Sequence, residues 1–254
     1  MEHKEYIREV PGSDTAVLLI HGINGTPLHF RDLLPLIPER WSVCNMLLDG
    51  HGYGVKEFGR TSMKKWKAQV TARLEQLLET HSRVLLIGHS MGTLFSIQAA
   101  LDHPQRVGGL FLLAPPLHVH FPPKTMLLCL RTALGCKDKA SAELRNDCGL
   151  TLTPWLWRYI PWIPRFLELL AECRRIRKSF AQLNAPCMCF LSRRDELVSM
   201  RTQKVLEKNP SVQTYVLKDS GHFGYGEADM LLLQTKLKEL MERYFSAPSR
   251  EETP

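Results

Sequence analysis

The 254-residue sequence contains no apolar run close to the roughly 20 residues that a membrane-spanning helix needs. Its first residues, Met1–Glu5, are polar and charged, so we expect no signal peptide. The seven cysteines are odd in number and lack metal-ligand spacing, and Cys187 and Cys189 fall within one strand-like run where pairing is geometrically poor. We therefore expect reduced core cysteines in a cytoplasmic protein.

The sequence also lacks a recognisable metal-binding or nucleic-acid-binding motif. His118 and His120 are two residues apart and would share one face of a strand, but no cysteine or carboxylate stands at ligand spacing beside them. The net charge of +7 is not accompanied by a nucleic-acid-binding motif. These absences predict that the chain has neither a metal site nor a nucleic-acid partner.

The most informative feature that is present is the pentapeptide Gly88–Gly92, which has the form Gly-x-Ser-x-Gly. It follows the apolar run Val84–Ile87 and precedes the helix-compatible stretch Thr93–Leu101, which is the strand–turn–helix context that gives this motif meaning. The glycines are needed where a Cβ would clash in so tight a turn. The turn would expose the Oγ of Ser90 and place the amide of Met91 at a helix N-terminus, where N–H groups favour negative charge.

A serine hydroxyl is a weak nucleophile at neutral pH, so it needs an adjacent base, and that base needs an orienting group. Two later strand-like runs are each followed by polar residues of the required types. Asp195 follows the run Pro186–Leu191, and His222 follows the run Val212–Leu217. Ligands bind at the carboxyl ends of strands in open α/β sheets, so these loop positions are candidates for a site.

With these segments in this order, the chain resembles the α/β-hydrolase superfamily and is similar to its bacterial carboxylesterases and monoacylglycerol lipases. Four segments carry the resemblance: His21-Gly22, Gly88–Gly92, Asp195 before Leu197-Val198, and Ser220-Gly221-His222. The resemblance implies that Ser90 is the nucleophile, His222 the general base and Asp195 the orienting acid. It also implies an oxyanion hole formed by the backbone amides of Ile23 and Met91.

Several neighbouring residues offer alternatives to these roles. Glu196 directly follows Asp195, and only one of the two can face His222 because successive side chains point in different directions; the family pattern favours Asp195. Asp219 is interpreted as a turn residue of the loop before His222. Three histidines near the predicted site are interpreted as structural: His21, His51 and His89.

Strand-like and helix-like segments alternate along most of the chain, which predicts a mostly parallel sheet covered by helices on both faces. Helices are expected over residues 26–34, 62–80, 200–208 and 231–245, with Ser62 capping the second. The alternation stops for about 70 residues, which is too long for a structureless loop inside a compact domain. We therefore predict a hydrolase core at residues 1–115 and 185–246, a helical cap at 116–184 inserted after strand 6, and a frayed tail at 247–254.

The predicted cap carries most of the excess positive charge. Residues 116–184 hold 11 Lys and Arg against 5 Asp and Glu, and three of the five tryptophans: Trp155, Trp157 and Trp162. A basic, aromatic segment suits a weak contact with lipid surfaces, although a solvated basic helix face is the favoured interpretation. The three tryptophans, together with Asn24 and Phe223, are assigned to the substrate pocket.

The resemblance implies a serine ester hydrolase, similar to a carboxylesterase or monoacylglycerol lipase, that cleaves small to medium-chain acyl esters through an acyl-enzyme. The expected partner is a small-molecule acyl ester, and no metal or organic cofactor is required. An acyltransferase or thioesterase would use the same three residues, and a binding protein could retain a vestigial site. The sequence leaves open whether the chain is a monomer or a homodimer.

Overall fold

The computed structural model describes residues 3–120, 122–139, 141, 144, 149 and 151–245. Its strands are β1 (Tyr6–Arg8), β2 (Thr15–Ile20), β3 (Ser42–Asn45), β4 (Arg83–His89), β5 (Val107–Leu113), β6 (Cys187–Ser192) and β7 (Val212–Leu217). These strands form one sheet in the order β1-β3-β2-β4-β5-β6-β7. Only the β1–β3 pair is antiparallel within this part of the chain, which confirms the predicted mostly parallel sheet.

The central strands are apolar runs that are buried on both faces, as expected where helices cover both sides of a sheet. Their register brings their carboxyl ends to one edge. Ile20 at the end of β2 is paired with Gly88 of β4, and Ser192 at the end of β6 is paired with Leu217 at the end of β7. The loops that follow these strands therefore start at the same edge of the sheet.

The α-helices are α1 (Val55–Gly59), α2 (Met63–Thr80), α3 (Met91–Asp102), α4 (Pro123–Ala133), α5 (Ile163–Ser179), α6 (Gln203–Leu206) and α7 (Glu227–Phe245). Residues of α1, α2, α3 and α5 share one core cluster with Leu18 and Leu86 of the sheet. Residues of α7 share the second cluster with Val17 and Leu85, which are the neighbours of those two residues along their strands. Successive strand side chains thus fill two separate cores, one on each face.

The predicted helices are confirmed in part. Ser62 caps α2, because its Oγ accepts a hydrogen bond from the Lys65 amide at 3.2 Å. The helix predicted at 26–34 is wrong: two short 3₁₀ turns stand there, Pro27–Phe30 and Leu34–Leu36. Pro35 has no N–H to donate and its ring opposes a continuous α-helix.

The remaining predicted helices differ mainly at their ends. The helix at 200–208 is split into a 3₁₀ turn, Met200–Thr202, and the short α6. The last helix begins at Glu227 rather than at residue 231, so its first turn includes two acidic residues that favour a helix N-terminus. The predicted tail at 247–254 lies outside the described residues.

The segment predicted as a cap contains α4, the 3₁₀ helix Leu156–Trp162 and α5. It follows β5, the fifth of the described strands, whereas the prediction placed it after a sixth strand. Ile176 of α5 is fully buried in the same core cluster as α3. No helix in the described part of the chain is long and apolar enough to span a bilayer.

A salt bridge to a buried carboxylate links α5 to α2. The Glu172 side chain is 5% exposed and accepts hydrogen bonds from Lys67 Nζ at 2.5 Å and from Arg175 Nε and Nη2 at 3.0 and 2.5 Å. Burial by itself would raise the pKa of this carboxyl, but the bonds from Arg175 and Lys67 outweigh it, so the pKa is lowered. The ionised form is therefore the one that the fold stabilises.

We expect the Glu172→Gln substitution to lower the free energy of unfolding by about 1–3 kcal/mol at pH 7, because charge-assisted hydrogen bonds to a buried group are lost. The pKa of Glu172 is lowered on folding, so its contribution is present above the ordinary value of 4.5 and is lost as the pH falls toward the lowered value. Urea unfolding at several pH values measures both effects. The exposed Glu79 of α2 provides the control Glu79→Gln, and equal losses in the two variants would contradict the assignment.

Candidate active site

Ser90 lies in the turn between β4 and α3, with φ of 49° and ψ of −119°. This is a strained conformation for a residue with a side chain, and it persists only where the surroundings determine it. The Ser90 amide donates to the carbonyl of Leu113 at 2.9 Å, and the Ser90 carbonyl accepts from the amide and hydroxyl of Thr93 at 2.9 and 2.7 Å. These bonds hold the strained turn at the end of the sheet.

Three glycines allow the turn to approach its neighbours closely. A Cβ on Gly92 would overlap with the carbonyl oxygen of Ile20, at the end of β2. A Cβ on Gly88 would lie 2.8 Å from Thr93 Cα, and a Cβ on Gly22 would lie 2.8 Å from Ser90 Cβ. The glycine pattern that was read from the sequence thus corresponds to specific close contacts around the serine.

His222 lies within hydrogen-bonding distance of both Ser90 and Asp195. Ser90 Oγ is 3.1 Å from His222 Nε2, and His222 Nδ1 is 2.9 and 3.0 Å from the two carboxylate oxygens of Asp195. Both side chains of the His–Asp pair are only 2% exposed. If Nδ1–H donates to the carboxylate, the Nε2 lone pair faces the serine hydroxyl, which is the arrangement of a base beside its nucleophile.

The Asp195 carboxylate is held in its ionised form despite its burial. Burial is the largest influence and would raise its pKa, but His222 and the amides of Leu197 and Val198 outweigh it, so the pKa is lowered. Those amides donate to Oδ1 at 2.8 and 2.6 Å. A fixed negative charge therefore lies beside the imidazole, where it would stabilise an imidazolium.

The other carboxylates of these loops have different contacts. Glu196, the alternative acid, accepts the backbone N–H of His222 at 2.8 Å and does not bond its ring. Asp219 forms an exposed ion pair with Arg194 at 3.1 Å. Asp229, which the sequence analysis missed, accepts from Ser220 Oγ at 2.7 Å and from two amides of the loop that leads to His222. The sequence feature that could have indicated Asp229 is its position as an acidic residue in the first turn of α7.

The two amides assigned to the oxyanion hole have no hydrogen-bond partner among the residues that the structure describes. The amide of Met91 opens α3, so it has no acceptor within the helix. The amide of Ile23 stands between Gly22 and Asn24, and the Asn24 amide donates to His51 Nε2 at 3.2 Å. Both N–H groups are therefore unpaired within the described structure.

His21 and His51 hold the backbone of the loops around Ile23, as their structural interpretation predicted. His21 Nε2 accepts from the Leu48 amide at 3.1 Å, and His51 Nε2 accepts from Asn24. Burial lowers the pKa of His51 to about 4 and that of His21 well below its ordinary value. Both rings are thus neutral and can accept these hydrogen bonds.

The residues assigned to the substrate pocket lie in different places. Phe223 packs edge-on against the His222 ring, with ring centroids 4.7 Å apart, and the Oδ1 of Asn24 is buried without a hydrogen-bond partner within the described structure. Trp162 requires a correction: it is a core residue that packs against Phe58 and donates its indole N–H to the carbonyl of Val55. Trp155 and Trp157 contact each other and are 51% and 61% exposed.

The segment between β5 and β6 also touches the loops of the site. The Gly149 amide donates to the carbonyl of Asn24 at 2.7 Å, and the Gly149 carbonyl accepts from the Gly52 amide at 2.8 Å. The amide of His120 donates to the carbonyl of Leu197 at 2.9 Å, in the loop that follows Asp195. Within the described residues, no group of three or more His, Cys, Asp or Glu side chains is placed to hold a metal ion.

Comparison with known proteins identifies related sequences and folds. The family model described as alpha/beta hydrolase fold matches residues 15–153. A carboxylesterase of Bacillus subtilis (strain 168) is 30% identical over 241 residues, which cover 91% of this chain and 94% of that protein. A thermostable monoacylglycerol lipase of Bacillus sp. (strain H-257) is 32% identical over 93 residues, 36% of this chain and 37% of the relative. A metagenome-derived lipolytic enzyme has a similar fold, with a TM-score of 0.72 at 20% identity over 95% of this chain and 98% of its own.

We expect the Gly92→Ala substitution to destabilise the protein by about 3 kcal/mol or more, because the added methyl group would overlap the Ile20 carbonyl and overpack the turn. Urea-induced unfolding, followed by circular dichroism, measures the loss. Gly224→Ala is the control, since a Cβ there meets no atom within 4 Å. If Gly92→Ala is as stable as the control, the close approach does not constrain the turn.

Proposed function

This chain belongs to the α/β-hydrolase fold family, and we propose that it is a serine ester hydrolase that acts through Ser90, His222 and Asp195. The observation that carries the proposal is the chain of hydrogen-bonding distances from Ser90 Oγ through the His222 ring to the Asp195 carboxylate. The two unpartnered amides beside this chain support the same activity, because an ester carbonyl develops negative charge on its oxygen when a nucleophile attacks it.

In the proposed reaction, His222 Nε2 removes the Ser90 hydroxyl proton while Oγ attacks the ester carbonyl carbon. The amides of Ile23 and Met91 donate to the oxyanion of the tetrahedral intermediate, and Asp195 stabilises the imidazolium that has formed. The imidazolium then protonates the departing alcohol, and an acyl-enzyme remains on Ser90. Water that is deprotonated by His222 attacks the acyl carbon and releases the acid, which regenerates the serine.

The substrate class follows from the family relationship and from the site. The relatives include a carboxylesterase and a monoacylglycerol lipase, so the proposed substrates are small to medium-chain acyl esters. The Phe223 ring packs against the His222 ring and would offer an acyl group an apolar surface near the nucleophile. The proposed mechanism uses only side chains and backbone amides of this chain.

The predicted cap carries an exposed apolar surface that could contact a binding partner. Six large apolar side chains between residues 155 and 167 are between 45% and 62% exposed; we call them the apolar cap face: Trp155, Leu156, Trp157, Ile160, Ile163 and Leu167. Exposed large apolar side chains grouped in this way are characteristic of interaction surfaces. Arg158 lies exposed among them, in a segment with a net charge of +6. We propose that this face makes a weak contact with an anionic lipid surface, from which ester substrates could be drawn.

We expect the purified protein to hydrolyse p-nitrophenyl esters, and Ser90→Ala to lower kcat/KM by at least about 10³-fold, because the nucleophile is removed. A series from acetate to palmitate gives the preferred chain length. The control Ser82→Ala exchanges an exposed serine that immediately precedes β4, at the end of the strand opposite the turn, and should retain the wild-type rate.

Product analysis separates this proposal from its alternatives. Release of free acid in water supports a hydrolase. Preferential transfer of the acyl group to an added alcohol or thiol would instead identify the protein as an acyltransferase. Tight binding of an ester without a Ser90-dependent burst would contradict catalysis and favour a binding protein.

We expect the protein to co-sediment with phosphatidylglycerol vesicles at low salt and to be released at high salt, because basic groups contribute to the contact. Trp157→Asp should abolish co-sedimentation without reducing hydrolysis of a water-soluble ester. Leu231→Asp is the matched control, since Leu231 is 65% exposed on α7, outside the apolar cap face. Equal loss in both variants would contradict a specific role for this face.

A further inference from the structure

Both main-chain polar groups of His222 are bonded by side chains. The His222 N–H donates to Glu196 Oε2 at 2.8 Å, and the His222 carbonyl accepts from His89 Nε2 at 3.0 Å. A loop residue whose backbone has two side-chain partners cannot shift without breaking one of these bonds. The backbone that carries the proposed base is therefore fixed on both sides.

The two partners stand next to the other members of the proposed triad in the sequence. His89 immediately precedes Ser90, and Glu196 immediately follows Asp195. The segment of the nucleophile and the segment of the acid thus each hold His222 twice, once through the triad side chain and once through its neighbour. This arrangement couples three segments that are separated by up to 133 positions in the sequence.

The contacts of the His89 ring keep its Nε2–H directed at the His222 carbonyl. The ring is 1% exposed and stacks on His29 with centroids 3.6 Å apart, and His29 Nε2 lies 3.2 Å from the hydroxyl of Tyr225, three residues beyond His222. Burial lowers the pKa of His29 to about 3 and that of His89 well below its ordinary value, so both rings are neutral. A neutral imidazole has one N–H, and a carbonyl only accepts, so the proton of His89 is on Nε2.

We propose that His89 and Glu196 are positioning residues that together set the place of His222 between Ser90 and Asp195. The inference rests on the proposed function, since it assigns these residues to the geometry of the base. Proton transfer requires the base within hydrogen-bond reach of the nucleophile, and a displacement of about 1 Å can reduce the rate by about 10²-fold. Neither residue needs to touch the substrate, so their loss should affect turnover and not substrate binding.

The experiment compares four variants with p-nitrophenyl acetate: His89→Leu, His89→Gln, Glu196→Leu and Glu196→Gln. We expect each leucine variant to lower kcat by about 10–100-fold with KM changed by less than about twofold. The glutamine variants should recover most of the rate, because the side chain of Gln offers an N–H donor in place of the imidazole and a carbonyl acceptor in place of the carboxylate. The controls are His103→Leu and Glu242→Leu, which remove a histidine and a glutamate outside the site.

A spectroscopic readout separates this inference from the proposed function. The proton shared by His222 Nδ1 and Asp195 should give a low-field ¹H NMR resonance in the wild type and the glutamine variants, and it should weaken in the leucine variants. Leucine variants that retain both the wild-type kcat and this resonance would overturn the positioning role. Equal losses in the leucine and glutamine variants would overturn it too, because packing alone would then explain them. If the wild type shows no Ser90-dependent hydrolysis, the proposed function fails, and the resonance alone decides the positioning role.

Discussion

The buried hydrogen bond between the Asp195 carboxylate and the His222 ring is the interaction on which the arrangement of the site depends. Burial raises the pKa of a carboxyl, but His222 and the amides of Val198 and Leu197 outweigh this effect at Asp195 and lower its pKa. The ionised acid then determines which nitrogen of His222 holds the proton and which faces Ser90. The sheet contributes by bringing the loops after β4, β6 and β7 to one edge, so that this bond can form.

The inserted segment is joined to the loops on two sides of this bond. Gly149 is bonded to the loop of Ile23 and Asn24, and the strand-like residues around His120 are bonded to the loop after Asp195. A Cβ on Gly149 would overlap with Thr26, so the contact depends on a glycine. The segment is consequently bonded to the loop that carries the proposed oxyanion amide of Ile23 and to the loop that follows Asp195.

The fold class was predictable because strands buried on both faces appear as short apolar runs between helical patterns, and the family resemblance is confirmed. The site residues were predictable as candidates because the glycine motif indicates the serine turn and the strand ends indicate the loops at one edge of the sheet. The structure brings Ser90, Asp195 and His222 together. The contact between Glu196 and the His222 N–H was not predictable, because a carboxylate that bonds a distant main-chain N–H leaves no local sequence pattern. Trp162 was misassigned because its partner Phe58 belongs to α1, a five-residue helix that has no periodic signal of its own.

The sheet order has a consequence for when the site can exist during synthesis. β7 is the last of the described strands to be made and lies at an edge of the sheet, with β6 as its partner, and His222 follows it by only a few residues. Ser90 precedes His222, the proposed base, by 132 positions, so a growing chain contains the serine turn well before His222 is made. A nascent or truncated chain that ends before β7 therefore lacks the proposed base, and under the proposed mechanism its Ser90 would not yet be activated.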